Sequence, residues 1–252
     1  MAIVKSGQVN NEIYHQLGEQ WYTAQDNPVA LLRAEARARN PWIAGKIHRA
    51  FPASPINVLD IGCGGGFLSN YLAREGFIVA GLDAAAESLA VARRYDVTGS
   101  VRYELGDAYR LPYQADEFQT ACAMDFLEHV DEPERVIGEA ARVLQPGGLF
   151  FFSTFNRNPI AWIFGIKGVE WFVKNTPPRM HQLSHFIKPA ELRAMCLRSG
   201  LHVVELHGLV PRWNRAFWRM LVRGEVSDDF AFRFSRNTLT GYIGLAVKRE
   251  LK

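Results

Sequence analysis

The chain has 252 residues, 48% hydrophobic and 22% charged, enough to bury a sizeable core and close to globular averages, which excludes disordered, fibrous and disulfide-scaffold classes. Lysine and arginine number 29 against 26 aspartates and glutamates, and this mild excess does not identify a nucleic-acid binder. Cys63, Cys122 and Cys196 stand far apart and outside any C-x-x-C pair, as expected of reduced, buried thiols in a cytoplasmic protein.

In chain order, MAIVKSGQVNNEIY lacks a basic head followed by an apolar run, so no secretory signal is expected. Residues 1–50 read as a mainly helical cap. From 51 to 157 the pattern alternates short β-rich runs with helices, the rhythm of parallel βαβ units. INVLDI (56–61) predicts the first strand, GCGGG a turn, and FLSNYLARE (67–75) a helix closed by Gly76. FIVAGLD (77–83), VRYELGD (101–107) and FQTACAMD (118–125) predict three more strands. Pro133 opens the next helix, where its missing N–H lacks a partner anyway, and Asp131 is the expected cap. QPGG then punctuates, and LFFFSTF supplies a fifth strand.

An aromatic insertion at 158–185 interrupts the rhythm; residues 186–252 return to it with the helix KPAELRAMCLRSG and the strands LHVVELHGLV and TGYIGLAVKRE, around a basic, aromatic excursion at 211–236. The whole reads as one α/β domain. IAWIFGIKGVEWFV, the most apolar run, is broken by Lys167 and Glu170 and falls short of the roughly 18 to 20 residues that cross a membrane.

A strand, D-I-G-C-G-G-G and a helix together bring backbone N–H groups close to a ligand, because glycine adds no Cβ. Gly62 and Gly64 fit a G-x-G-x-x-G dinucleotide fingerprint, but Phe67 stands at the third glycine position, against an NAD reading. Asp83 ends the next strand, placed to accept hydrogen bonds from the ribose hydroxyls of an adenosine. Asp107-Ala108 ends the third.

VLDIGCGGGFL, VAGLD, GDAYRLPY and RVLQPGGLFFFSTFNRN resemble the class I S-adenosylmethionine-dependent methyltransferases. CAMDFLEHV, FFSTFNRN, HFIKPAEL and the Trp21-Tyr22 pair resemble, within that class, the ubiquinone-biosynthesis O-methyltransferases. The resemblance implies a Rossmann-like fold with a seven-stranded, mostly parallel sheet and helices on both faces. It implies a cofactor site drawn from Asp60, Gly62, Gly64, Asp83, Asp107, Ala108 and Met124, and O-methylation of a catechol-like, polyprenylated quinone precursor. Where the family has a cofactor-contacting arginine after Asn-Pro, this chain reads N-P-W-I and has Ile43, with Arg37 and Arg39 as nearby substitutes.

AMDFLEHV sets Asp125, Glu128 and His129 in an apolar segment at a spacing that puts them on one face of a helical turn. A phenol of pKa about 10 costs about 4 kcal/mol to ionise at pH 7. A general base or a divalent ion lowers that barrier, and two carboxylates with an imidazole suit either task. The family's E-x-x-E-H positions hold a divalent ion, which the resemblance carries to the D-x-x-E-H of Asp125, Glu128 and His129, with Mg²⁺ the first choice for hard ligands. His181, ahead of the FIKP helix, is a second candidate base. Two other readings share these motifs: methylation of a different phenol, carboxylate or amine, and a non-catalytic cofactor-binding protein.

The insertion carries Trp162, Ile163, Phe164, Trp171 and Phe172 among Lys167, Lys174, Arg157 and Arg179. PRWNRAFWRMLVR sets Arg212, Arg215, Arg219 and Arg223 beside Trp213, Phe217, Trp218 and Leu221. Packing as a lid over the site accounts for either segment alone; the two together predict peripheral binding to an anionic membrane face and a lipophilic acceptor. No nucleic-acid motif accompanies them.

Overall fold

The computed structural model describes residues 16–53, 55–177 and 180–249; the N-terminal MAIVKSGQVNNEIY stretch and Arg179 lie outside the described residues. The elements in chain order are α1 (Gln20–Thr23), α2 (Val29–Ala50), β1 (Asn57–Ile61), α3 (Phe67–Arg74), β2 (Ile78–Asp83), α4 (Ala86–Arg94), β3 (Arg102–Leu105) and β4 (Phe118–Met124). A 3₁₀ turn (Leu127–His129), α5 (Pro133–Val143) and β5 (Leu144–Phe155) follow, and a second 3₁₀ turn (Leu183–His185) lies ahead of the helix at Pro189–Arg198. The insertion folds as α6 (Pro159–Ala161), a π turn (Trp162–Lys167) and α7 (Gly168–Phe172), and α8 (Pro189–Arg198), β6 (Leu201–Pro211), α9 (Arg215–Arg223), β7 (Phe232–Ser235) and β8 (Gly241–Lys248) complete the chain.

The strands form one mixed sheet in the order β3-β2-β1-β4-β5-β8-β6-β7. The first five run parallel, and β8, β6 and β7 are joined to them and to each other in antiparallel fashion. Among the described residues the sheet therefore has eight strands where seven were expected. The added edge strand β7 comes from the excursion at 211–236, whose FRFS segment pairs with Gly208–Pro211 of β6; four residues are too short a run to stand out by periodicity.

Phe150 and Phe152 join the core layer beneath α5 and α8, while Phe151 points the other way into the layer formed with α2 and α3. This is the period-two alternation of a strand covered on both faces, and it is why LFFFS is apolar throughout. Each fully buried Phe or Leu contributes roughly 1.5–3 kcal/mol of transfer free energy. The same alternation sends Leu59 and Ile61 of β1 to one layer and Val58 to the other. At QPGG the β4–β5 register jumps, Phe118 facing Leu144 but Thr120 facing Leu149, so the turn predicted there is absorbed as an irregularity inside β5.

The cap packs on the core through Ile43, Ala44 and Ile47 of α2, and Ala30 and Ala34 of the same helix meet Ala216 and Met220 of α9. All three cysteines are free and buried, as expected. Asp131 does not cap α5. Its backbone N–H and that of Glu132 donate instead to the Tyr109 hydroxyl, at 2.9 and 3.1 Å.

Candidate active site

The carboxyl ends of β1, β2 and β4 converge on one crevice edge, the position at which open parallel sheets bind ligands. Between β1 and α3 the chain turns through Gly62, Gly64 and Gly66, all at positive φ, where a side chain is strained. A Cβ on Gly62 would collide with the Phe126 ring, and one on Gly64 would lie 2.7 Å from the Trp21 indole. The loop is therefore bare backbone walled by two aromatic rings.

Asp83 binds this loop to the end of β2: its Oδ2 accepts from Gly64 N–H and its Oδ1 from Ala85 N–H, both at 2.8 Å. Asp60 is buried and accepts from the Ser69 hydroxyl at 2.6 Å; burial pushes its pKa up to about 6 despite that bond and the nearby Arg39 charge. Met124 closes β4, buried opposite Ser153. Gly106 N–H donates to the Asp83 carbonyl, so Asp107 and the buried Ala108 flank the same edge. Asp107 itself is exposed and turns back on Tyr109 N–H. The cofactor candidates thus share one rim.

The D-x-x-E-H residues divide. Asp125 sits at φ +50°, a left-handed conformation rare outside glycine, and is tethered on every side. Its N–H donates to the Ser153 carbonyl and hydroxyl oxygens, its Oδ1 accepts from Ser153 Oγ at 2.7 Å, and its Oδ2 is ion-paired with Arg39 of α2. Glu128 is buried and neither of its carboxylate oxygens has a hydrogen-bond partner among the described residues; loss of water and the neighbouring Asp125 charge raise its pKa well above the usual carboxylate range. Burial depresses His129 to about 3 and His181 to about 4, so both imidazoles are neutral at pH 7, with ring centroids 5.5 Å apart.

Asp125, Glu128 and His129 do not converge as a metal-binding set: among the described residues no group of three or more His, Cys, Asp or Glu side chains is placed to hold an ion. The reason is visible at Asp125, whose two oxygens are engaged by Arg39 and Ser153. The expected divalent-ion site is thus not met by the donor geometry.

Two residues outside the motif complete the constellation. Glu35, one helical turn before Arg39, lies 3.7 Å from its guanidinium, its pKa raised by burial and by the Asp125 charge. Ser153 is the clamp on Asp125. Their only sequence signal was the helical reading of residues 1–50 and the end of the predicted fifth strand. Ile43, where an arginine was expected, is fully buried in the apolar layer; Arg37 turns away to the carbonyls of Asp228 and Phe230, leaving Arg39 as the arginine that faces the site. A cavity of about 490 Å³ opens beside this edge between α5 and α8, lined among others by Val130, Arg157, His185, Phe186 and Glu191.

Comparison with known proteins agrees with this geometry. Residues 59–152 match a family model described as a methyltransferase domain. A ubiquinone biosynthesis O-methyltransferase of Xanthomonas axonopodis pv. citri is 34% identical over 237 residues, covering 92% of this chain and 90% of that protein. The chain belongs to this family. The corresponding enzyme of Xylella fastidiosa is 37% identical over 188 residues, 71% of this chain and 75% of its own length. Magnesium protoporphyrin IX methyltransferase from Synechocystis, solved with bound S-adenosylhomocysteine, shares the fold at 17% identity and TM-score 0.65, covering 95% of each chain. The protein is therefore an S-adenosylmethionine-dependent O-methyltransferase with a Rossmann-like core. The bare glycine loop and the Asp83 carboxylate are residues that fit such a donor.

Proposed function

We propose that this methyltransferase acts on a phenolic hydroxyl of a catechol-like ring carrying an apolar polyprenyl chain, at an anionic membrane surface, with Glu128 as the proton acceptor. The observation that carries the reading is the Glu128 carboxylate, removed from water, without a hydrogen-bond partner among the described residues, one turn past the end of β4. A buried carboxylate left so is costly unless a ligand group meets it. Its raised pKa makes its ionised form a stronger base than an ordinary carboxylate, whereas the depressed imidazoles of His129 and His181 are weaker bases than ordinary histidines. Glu128 takes the phenolic proton as the oxygen attacks the sulfonium methyl, and His129 and His181 line the acceptor side.

S-adenosylmethionine supplies the activated methyl group when bound. Gly62 and Gly64 would give it backbone contact, Asp83 would accept from its ribose, Asp60, Asp107, Ala108 and Met124 would wall it, and its chemistry would be methyl transfer to an acceptor oxygen that the fold orients. In this division the described residues within 1–50 form the cap, those within 51–157 the cofactor core, those within 158–185 the lid, and those within 186–252 the remainder of the core with its excursion. The lid leaves Phe164 and Trp171 exposed, and α9 presents Trp218 and Val222 beside Arg215 and Arg223, while only its Ala216 and Met220 are buried. Packing as a lid explains the buried side of each segment; the exposed apolar and basic sides support an interfacial role. No helix among the described residues is long and apolar enough to cross a membrane.

Incubation with labelled S-adenosylmethionine and a panel of polyprenyl catechols, simple catechols, amines and carboxylic acids tests the acceptor class. Label is expected on the polyprenyl catechols; label on acids or amines alone overturns it.

A further inference from the structure

Arg39 is the one lysine or arginine in the buried class among the described residues. Its side chain is 6% exposed, and its Nε–H is buried with no hydrogen-bond partner among the described residues. Nη1 is paired with Asp125 Oδ2 and donates to Ser153 Oγ at 3.3 Å, and a second carboxylate, Glu35, lies 3.7 Å away. A structural ion pair is complete when each buried donor has an acceptor; this one has a charged donor to spare.

Both residues that hold the guanidinium stand at strand ends next to Glu128 and the two neutral histidines. Asp125 follows β4 directly and leads into the turn of Glu128 and His129. Ser153 lies near the end of β5; Phe155, two residues on and on the same strand face, packs its ring 5.0 Å from His181, and the His129 ring lies 5.5 Å from His181. Arg39 also occupies Asp125 as a bound ion would. Oδ2 is taken by the guanidinium and Oδ1 by the Ser153 hydroxyl, so a divalent cation at this carboxylate would have to displace the guanidinium or lie against a like charge.

We infer that Arg39 supplies the fixed positive charge at the acceptor oxygen, in the place where a divalent ion would otherwise meet Asp125. The inference rests on the acceptor reading above, a phenolic hydroxyl whose proton passes to Glu128. In that step the O–H bond breaks with its proton going to the Glu128 carboxylate, an oxygen electron pair forms the bond to the methyl carbon, and the carbon–sulfur pair goes to sulfur, leaving a neutral thioether. Arg39 exchanges no proton, because guanidinium keeps its charge throughout. A charged N–H donor already fixed by Asp125 and Ser153 stabilises the charge that develops on oxygen without having to reorganise.

The test reads the ionisation of a bound acceptor directly. Nitrocatechol, whose ionised form is coloured, is bound to the S-adenosylhomocysteine complex of the wild type, Arg39→Met and Arg39→Lys and titrated spectrophotometrically, with thermal melts confirming folding. The wild type is expected to hold the bound catechol at a lower pKa than the free one. Arg39→Met is expected to raise that bound pKa by about 1 to 2 units, the tenfold or larger effect of one charged hydrogen bond, while S-adenosylhomocysteine affinity stays within twofold. Arg39→Lys, which keeps a charge beside Asp125 but loses the guanidinium fork, is expected to shift it the same way by less, and carries the test if the methionine variant does not fold. A bound pKa that is the same in all three proteins overturns this assignment alone; a wild type that binds no catechol overturns the acceptor reading and the assignment with it. Mn²⁺ is the second probe, followed by electron paramagnetic resonance: the wild type is expected to leave it free, and Mn²⁺ binding that Glu128→Gln abolishes would overturn the assignment as well.

Discussion

The Asp83 carboxylate and the Gly64 backbone N–H are joined by a 2.8 Å hydrogen bond that ties the end of β2 to the loop after β1. Asp83 therefore shapes the glycine loop, in addition to the ribose contact proposed for it. Asp83→Asn, which keeps one acceptor oxygen but loses the charge, is expected to weaken S-adenosylhomocysteine roughly tenfold, the scale of one charged hydrogen bond of about 1.5–3 kcal/mol. Titration calorimetry measures it, and unchanged affinity would contradict the assignment.

Gly62 has φ +68° and no room for a Cβ on its Phe126 side. Gly62→Ala is expected to destabilise by about 1–2 kcal/mol from backbone strain alone, with a further steric cost from the ring. In a Phe126→Ala background the steric part vanishes and the strain remains, so the melting temperature should fall less there than in the wild type. Equal falls in both backgrounds would show that the Phe126 contact is unimportant.

Asp60 holds a proton up to about pH 6 when folded, whereas an unfolded aspartate releases it near pH 3.9. Between these values the folded chain binds more protons than the unfolded one, so the Asp60 contribution to stability improves as pH falls through 6 and is least favourable above it. Asp60→Asn removes the term. The melting-temperature difference, variant minus wild type, is expected to be most positive at pH 7–8 and to shrink towards pH 5; a difference independent of pH would refute the buried-charge account.

Vesicles containing anionic phospholipid are expected to float the protein at low salt and release it as salt rises. Trp218→Ser with Arg215→Glu should abolish flotation without altering the melting curve, because Trp218 and Arg215 are exposed. Flotation that survives the double substitution would assign the contact to another face.

The parallel half of the sheet was legible because its strands are short apolar runs, β1 and β2 closed by glycine or aspartate as in INVLDIG and VAGLD. Strand β7 was not, being four residues long. The D-x-x-E-H motif showed that Asp125, Glu128 and His129 lie at the end of β4, but spacing does not reveal what each one faces. Asp125 is claimed by Arg39, 86 positions earlier in the chain, and by Ser153, 28 positions later. Such long-range pairing leaves no local pattern, which is why a three-ligand site was a reasonable expectation from the motif and is not what the fold builds.

The most direct test of the account is the transfer rate of Glu128→Gln to a polyprenyl catechol, measured with and without a strong chelator. Loss of a general base is expected to lower the rate about 10²- to 10⁴-fold, with S-adenosylhomocysteine affinity unchanged and wild-type turnover insensitive to chelation. A Glu128→Gln enzyme of undiminished rate, or a wild type silenced by the chelator and restored by added Mg²⁺, would contradict the assignment of the phenolic proton to Glu128.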